Sequence, residues 1–208
     1  MIGQRMMMKA RSMHGIDGIM MLGWYVDTGL TGASASSSFR IESEVIFPNS
    51  SHYPSELDFL GNYNGSAGNT LLFGANYGKA YVFAFGSNRA PSIEIPYVTP
   101  MTYDVTVDYS GIVDVDIDGT QSSTTVSVNN FPSSSDKFLI GNGGPSGGGY
   151  RPAPVVIKRV TFTLDGVVAA EYMPAISGGK LGLQDMIRGT FTSAPSGGVT
   201  LAYIESMQ

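Results

Sequence analysis

Residues 155–191 read V-V-I-K-R-V-T-F-T-L-D-G-V-V-A-A-E-Y-M-P-A-I-S-G-G-K-L-G-L-Q-D-M-I-R-G-T-F, and this stretch decides the fold. Val156, Lys158, Val160, Phe162 and Leu164 alternate with Ile157, Arg159, Thr161 and Thr163, the period-two pattern of a strand. Asp165-Gly166 follows, a dipeptide that accepts the positive φ of a two-residue hairpin turn. The return strand, 167–172, is expected to stop at Met173-Pro174. Proline has no N–H for the ladder and biases the residue before it toward extended geometry. A short apolar segment, 181–187, then ends at Arg188-Gly189.

The same rhythm runs outward through the chain. Residues 23–30 read as a first strand and its turn, with Trp24 packing rather than serving as a sugar platform. The Ser/Ala/Gly run 31–38 is a loop, and 39–47 alternates as a strand with one wet face. Short strands are expected at 57–61, 70–75, 79–85, 92–96, 124–128 and 137–141, with a last one at 199–204 that returns beside the first. With 27 glycines and 11 prolines punctuating it, the chain shows no helical periodicity long enough to compete.

This order of features resembles the closing strands of concanavalin A-like (laminin-G-like) jelly-roll domains. In those domains a strand like 158–163 leads to an Asp-Gly hairpin, a proline, a Gly-Leu-Tyr-Asp signature and a Gly-x-Phe-Tyr closing strand. Here the signature is Gly182-Leu183-Gln184-Asp185 and the closing pair Phe191-Thr192, so both usual tyrosines are replaced. Further matches fall at 25–29, Leu72-Phe73-Gly74, Asp118-Gly119 and Leu139-Ile140-Gly141, so the resemblance covers roughly 22–200. It implies an all-β fold, one antiparallel two-sheet jelly-roll β-sandwich over 22–208 with Greek-key connections. Such domains occur in bacteriophage structural proteins and gut-bacterial surface proteins, as binders, enzymes, adhesins and scaffolds, so the fold carries no function by itself.

Charge is sparse: 17 acidic and 12 basic residues leave a formal net charge of −5, which speaks against a nucleic-acid partner. The absence of cysteine removes thiolate nucleophiles, thiolate metal sites and disulfides. No apolar run reaches membrane-spanning length, and no export signal is read at the N-terminus. Residues 1–21 hold Met1, Met6, Met7, Met8, Met13, Met20 and Met21, seven of the 11 methionines. This segment is read either as a frayed terminus or as an arm whose adaptable methionines dock other virion proteins or a second copy.

Candidate site residues lie on turns. Tyr63, Asn64, Asn76, Tyr77, Tyr150 and Arg151 combine flat rings, amides and a guanidinium of the kind that contact sugars or a partner. The acidic hairpin 103–119 places Asp104, Asp108, Asp114 and Asp116 on one face. A three-residue loop at 110–112 would set Val107 opposite Val115 and Asp108 opposite Asp114. That like-charge crowding would be relieved by solvent and salt, by a cation side chain, or by bound Ca²⁺; no other cofactor is indicated. Glu42 and Glu44 alternate as a glucanase's carboxylates do, but no third acidic position follows. With only His14 and His52 available, neither a hydrolase triad nor a histidine metal pair is indicated. The expectation is a non-enzymatic structural or adhesion module of a bacteriophage virion, on the capsid, head fibre or tail, with host-surface glycans as its contact. The alternative is a carbohydrate-binding module on a gut-bacterial cell surface.

Overall fold

The computed structural model describes residues 16–48, 57–86, 91–143 and 154–203. Sixteen strands occur among them: β1 Gly18–Leu22, β2 Val26–Asp27, β3 Ser38–Ile46, β4 Leu57–Gly61, β5 Leu71–Asn76, β6 Lys79–Ala84, β7 Ile93–Glu94 and β8 Pro100–Asp108. They continue as β9 Ile112–Ile117, β10 Thr120–Thr125, β11 Leu139–Ile140, β12 Val156–Leu164, β13 Val167–Ser177, β14 Lys180–Asp185, β15 Phe191–Ser193 and β16 Val199–Tyr203. Two antiparallel sheets result. The larger runs β10-β9-β8-β3-β12-β13-β14-β15, with β1 paired to β12 and β16 to β1. The smaller runs β2-β11-β4-β5-β6-β7. No helix among the described residues is long and apolar enough to cross a membrane.

The core is what the two inner faces share. Phe39, Ile41, Val105, Val113 and Phe162 from the large sheet meet Phe59, Phe73, Val82 and Ile140 from the small one, all at or near zero exposure. Phe39 stacks on Phe138 at 5.1 Å between ring centroids and meets Phe131 edge-on at 5.7 Å. Trp24 is 4% exposed and donates its indole N–H to the Val199 carbonyl at 3.1 Å, so it packs as expected.

Several sequence expectations change, each for a local reason. Residues 18–21, assigned to the arm, belong to β1: Ile19 and Met21 fill the core, and β1 bridges β12 and β16. The last strand therefore returns beside β1 rather than beside 23–30, of which only Val26–Asp27 is strand. The return strand does not stop at Pro174 but runs to Ser177, with Pro174 opposite Leu183 of β14. Beyond Tyr172 it no longer pairs with β12, and that vacated edge asks for no proline N–H.

The acidic hairpin keeps its three-residue loop, but the loop is 109–111, and Val107 faces Val113. Gly111 sits at φ +109, a conformation that Ile112 would resist, so glycine sets the register. Asp118 and Gly119, at φ +52 and +82, then turn the chain within two residues, and the next strand is β10 rather than 124–128.

Candidate functional site

The connection from β4 to β5 is closed on itself by Asn62, which is 1% exposed. Its side-chain oxygen accepts from the Leu71 N–H at 2.7 Å, and its amide donates to the Asn69 carbonyl at 3.0 Å. This clamp presents Tyr63, half-buried, and Asn64, exposed, on a fixed loop. The Tyr63 N–H donates to the Gly143 carbonyl at 2.9 Å, tying the loop to the end of the next crossing.

A second loop, between β10 and β11, brings Ser134 and Asp136 to the same place. Asn64 donates its side-chain amide to one oxygen of Asp136, and Asn69 donates to the other at 2.7 Å. Ser134 Oγ accepts from the Asp136 N–H at 3.1 Å and from the Asn69 amide at 3.4 Å. The Asn69 side-chain oxygen is buried and has no hydrogen-bond partner. Each carboxylate oxygen has two lone pairs, so a half-buried Asp136 with one amide on each oxygen keeps acceptor capacity for a hydroxyl. The cluster thus joins two amides, a hydroxyl and a carboxylate, next in sequence to Tyr63, on loops held by a rigid sandwich.

The other sequence candidates separate from it. Asn76 and Tyr77 lie in the β5–β6 hairpin, at the opposite end of β5 from Asn69, about 17 Å away by strand rise. Tyr77 is 74% exposed and sits at φ +49. Tyr150 and Arg151 lie outside the described residues, as do His14 and His52.

The four aspartates do not form one group. Asp104 faces Asp116 across the ladder, Asp114 faces Thr106, and Asp108 faces Ile112. Arg40, on the neighbouring strand β3, grips Asp104 with two bonds, Nε to Oδ1 at 2.8 Å and Nη2 to Oδ2 at 2.6 Å. That pairing raises the guanidinium's pKa, and it supplies the cation side chain that the crowded face calls for. Asp116 accepts from the Gly119 N–H at 2.7 Å and the Gln121 amide at 3.0 Å. Asp108 caps its own loop through the Ser110 N–H at 2.7 Å, which holds its carboxyl below the usual range. An open groove of about 340 Å³ remains between Asp104, Asp114, Asp116 and Gln121. Among the described residues, no three acidic or imidazole side chains converge as a metal site would require.

Glu42 and Glu44 share the outer face of β3, and each carries a cation. Arg40 lies 3.1 Å from Glu42, and Lys158 lies 3.1 Å from Glu44. Lys158 reaches it because β12 shifts register between Ile157 and Arg159.

Asn69, Ser134 and Asp136 were not among the sequence candidates. Their only sequence signal is polarity within turn segments, and nothing in the spacing shows that positions 67 apart meet.

No family model matches this sequence, and no curated protein is similar to it. Solved structures share its fold. A protein of Bacteroides ovatus, described as a candidate carbohydrate-binding protein, superposes with a TM-score of 0.60 at 13% identity over 90% of this chain. A Trypanosoma rangeli sialidase in complex with 2,3-difluorosialic acid gives 0.54 at 13% identity over 71% of this chain. The chain spans 60% of the length of the first and 25% of the second. The two-sheet architecture is an antiparallel jelly-roll β-sandwich.

Proposed function

We propose that this chain is a non-catalytic carbohydrate-binding module whose glycan seats on Tyr63, Asn64, Asn69 and Asp136. The observation that carries the reading is the meeting of two distant loops at Asp136, where Asn64 and Asn69 each donate to the carboxylate and leave it lone pairs for a further donor. Amides and a carboxylate read sugar hydroxyls by donating and accepting in fixed directions, and a neighbouring tyrosine ring offers a flat face to a pyranose. The Bacteroides ovatus neighbour's description is consistent with this chemistry.

Binding without turnover fits the other carboxylates. Glu42 and Glu44, the pair with a glycosidase's alternation, are each engaged by a cation, and no third acidic position follows them on β3. The same site would serve a bacterial cell-surface module or an adhesin on a virion. The gut-bacterial neighbour favours the cell surface, and no comparison points to a virion.

A glycan array probed with the purified chain tests this. Saturable binding is expected, weakened at least tenfold by Asp136→Ala and by Tyr63→Ala and unchanged by Tyr77→Ala. Binding that survives Asp136→Ala, or that Tyr77→Ala alone abolishes, would move the site away from these loops. Reducing sugar released from a bound polysaccharide would make the chain an enzyme.

A further inference from the structure

The dipeptide Asn-Gly occurs twice in the chain, at Asn64-Gly65 and at Asn142-Gly143. It is chemically weak, because glycine puts no side chain in the way when its nitrogen turns back on the asparagine Cγ. The fold treats the two pairs oppositely. Asn142 is 4% exposed and bridges to Leu60, and the Gly143 carbonyl accepts from the Tyr63 N–H at 2.9 Å. A Cβ on Gly143 would lie 2.6 Å from that of Asp58, so this pair has no room to rotate. Asn64 and Gly65 are both exposed.

Two partners fix which way the Asn64 amide points. The Ser66 N–H donates to its oxygen Oδ1 at 3.2 Å, and its nitrogen Nδ2 donates to Asp136. A backbone N–H can only donate and a carboxylate can only accept, so the amide does not turn over. The Ser66 N–H therefore already stands where negative charge gathers when Cγ is attacked, and it stabilises that charge. Among the described residues the Gly65 N–H has no acceptor, and at φ +104 Gly65 is open to a base from solvent.

We propose that Asn64 is a self-modification site, at which the folded chain deamidates without an enzyme. The Gly65 nitrogen gives its proton to hydroxide and bonds to the Asn64 Cγ, while Nδ2 takes a proton from water and leaves as ammonia. That closes a succinimide ring. Water then opens the ring at either carbonyl, to aspartate or isoaspartate, with no change of oxidation state. Either product sets a second carboxylate against Asp136 in place of an amide donor, and like charges at contact repel. The bond that joins the two loops is lost irreversibly, so the cluster ages. Its loss of glycan binding with age rests on the carbohydrate-binding reading; the chemistry does not.

Peptide mapping by mass spectrometry, after prolonged incubation of the full chain at pH 8 and 37 °C, reads the modification directly. The mass gain of an amide turned to an acid is expected at Asn64, in aspartate and isoaspartate forms, at least tenfold faster than at Asn142. In urea the two pairs are expected to react at similar rates, which assigns the difference to the fold. An Asn64 that stays intact in the folded chain while reacting in urea would overturn the proposal, and so would an Asn142 that converts as fast. Asn64→Asp tests the consequence: its melting temperature is expected to lie several degrees below the parent's at pH 7, the gap narrowing below about pH 4 as carboxylates take up protons. Equal melting temperatures at pH 7 would mean that the product leaves the loops joined. Neither readout uses a glycan, so an array without hits would sink the carbohydrate reading and leave this one standing.

Discussion

Asp165 occupies the first position of the β12–β13 turn, at φ +50, and its carboxylate accepts five hydrogen bonds. Three come from the N–H groups of Ser36, Ser37 and Ser38 and two from the hydroxyls of Ser36 and Ser37, at 2.7 to 3.0 Å. Those donors, the Ser36 N–H foremost, hold the carboxyl far below its usual value of 3.8. A depressed folded-state pKa contributes stability that is present above 3.8 and lost as pH falls below it toward the folded value. Asp165→Asn keeps the turn, since asparagine tolerates this φ, but removes that titration. The melting temperature of the variant is therefore expected to fall less steeply between pH 5 and pH 2 than that of the parent, as read by circular dichroism. Equal slopes would mean that the serines do not bind the charge. Asp165 was legible in sequence as a turn former; its second role was not, because the serines that bind it lie 127 to 129 positions away.

The closing hairpin of β14 and β15 shows the same division at the scale of an element. Gly182 was legible only through resemblance, and the structure supplies its reason: a Cβ there would lie 2.0 Å from the Thr192 carbonyl oxygen, so only glycine lets β15 approach. Where the related signature has tyrosine, Gln184 spans the turn with its amide, donating to the carbonyls of Thr190 at 3.0 Å and Asp185 at 3.1 Å. Asp185 is fully buried and accepts from the N–H groups of Ile187 and Arg188, at 2.9 and 3.1 Å. Arg188 closes on it at 2.7 Å and reaches the Thr28 carbonyl at 2.8 Å, so the hairpin is anchored to the chain just after β2. Asp185→Ala leaves two N–H groups and a guanidinium without their acceptor, and a loss of about 3 kcal/mol is expected in urea unfolding. A change below about 1 kcal/mol would mean that the turn holds without its anchor. Pro174 teaches the opposite lesson, because a residue that reads as a terminator is harmless where the neighbouring strand has already departed.

For the whole molecule, the question is what holds the two sheets in register with one another. Apolar packing is non-directional, but Tyr103, 1% exposed on β8, donates its hydroxyl across the core to the Gly74 carbonyl of β5 at 3.0 Å. Its ring also meets Phe59 at 5.2 Å, edge to face. Tyr103→Phe keeps the ring and removes the bond, so a loss of about 1 kcal/mol is expected at an unchanged denaturant slope. A neutral result would assign the alignment to shape alone. The sequence by itself determined the fold class, most strand positions and the hairpins, because alternation and turn dipeptides act over a few residues and leave their mark there. It did not determine the loop register of the acidic hairpin until the φ of Gly111 was seen, nor the fate of Pro174. Only the tertiary structure joined Asp136 to Asn64 and Asn69, Arg40 to Asp104, and Asp165 to its serines. Those contacts run between strands and loops far apart in the chain, and their geometry is set by which strands lie side by side, a choice made by the packing of the whole core and recorded in no local pattern.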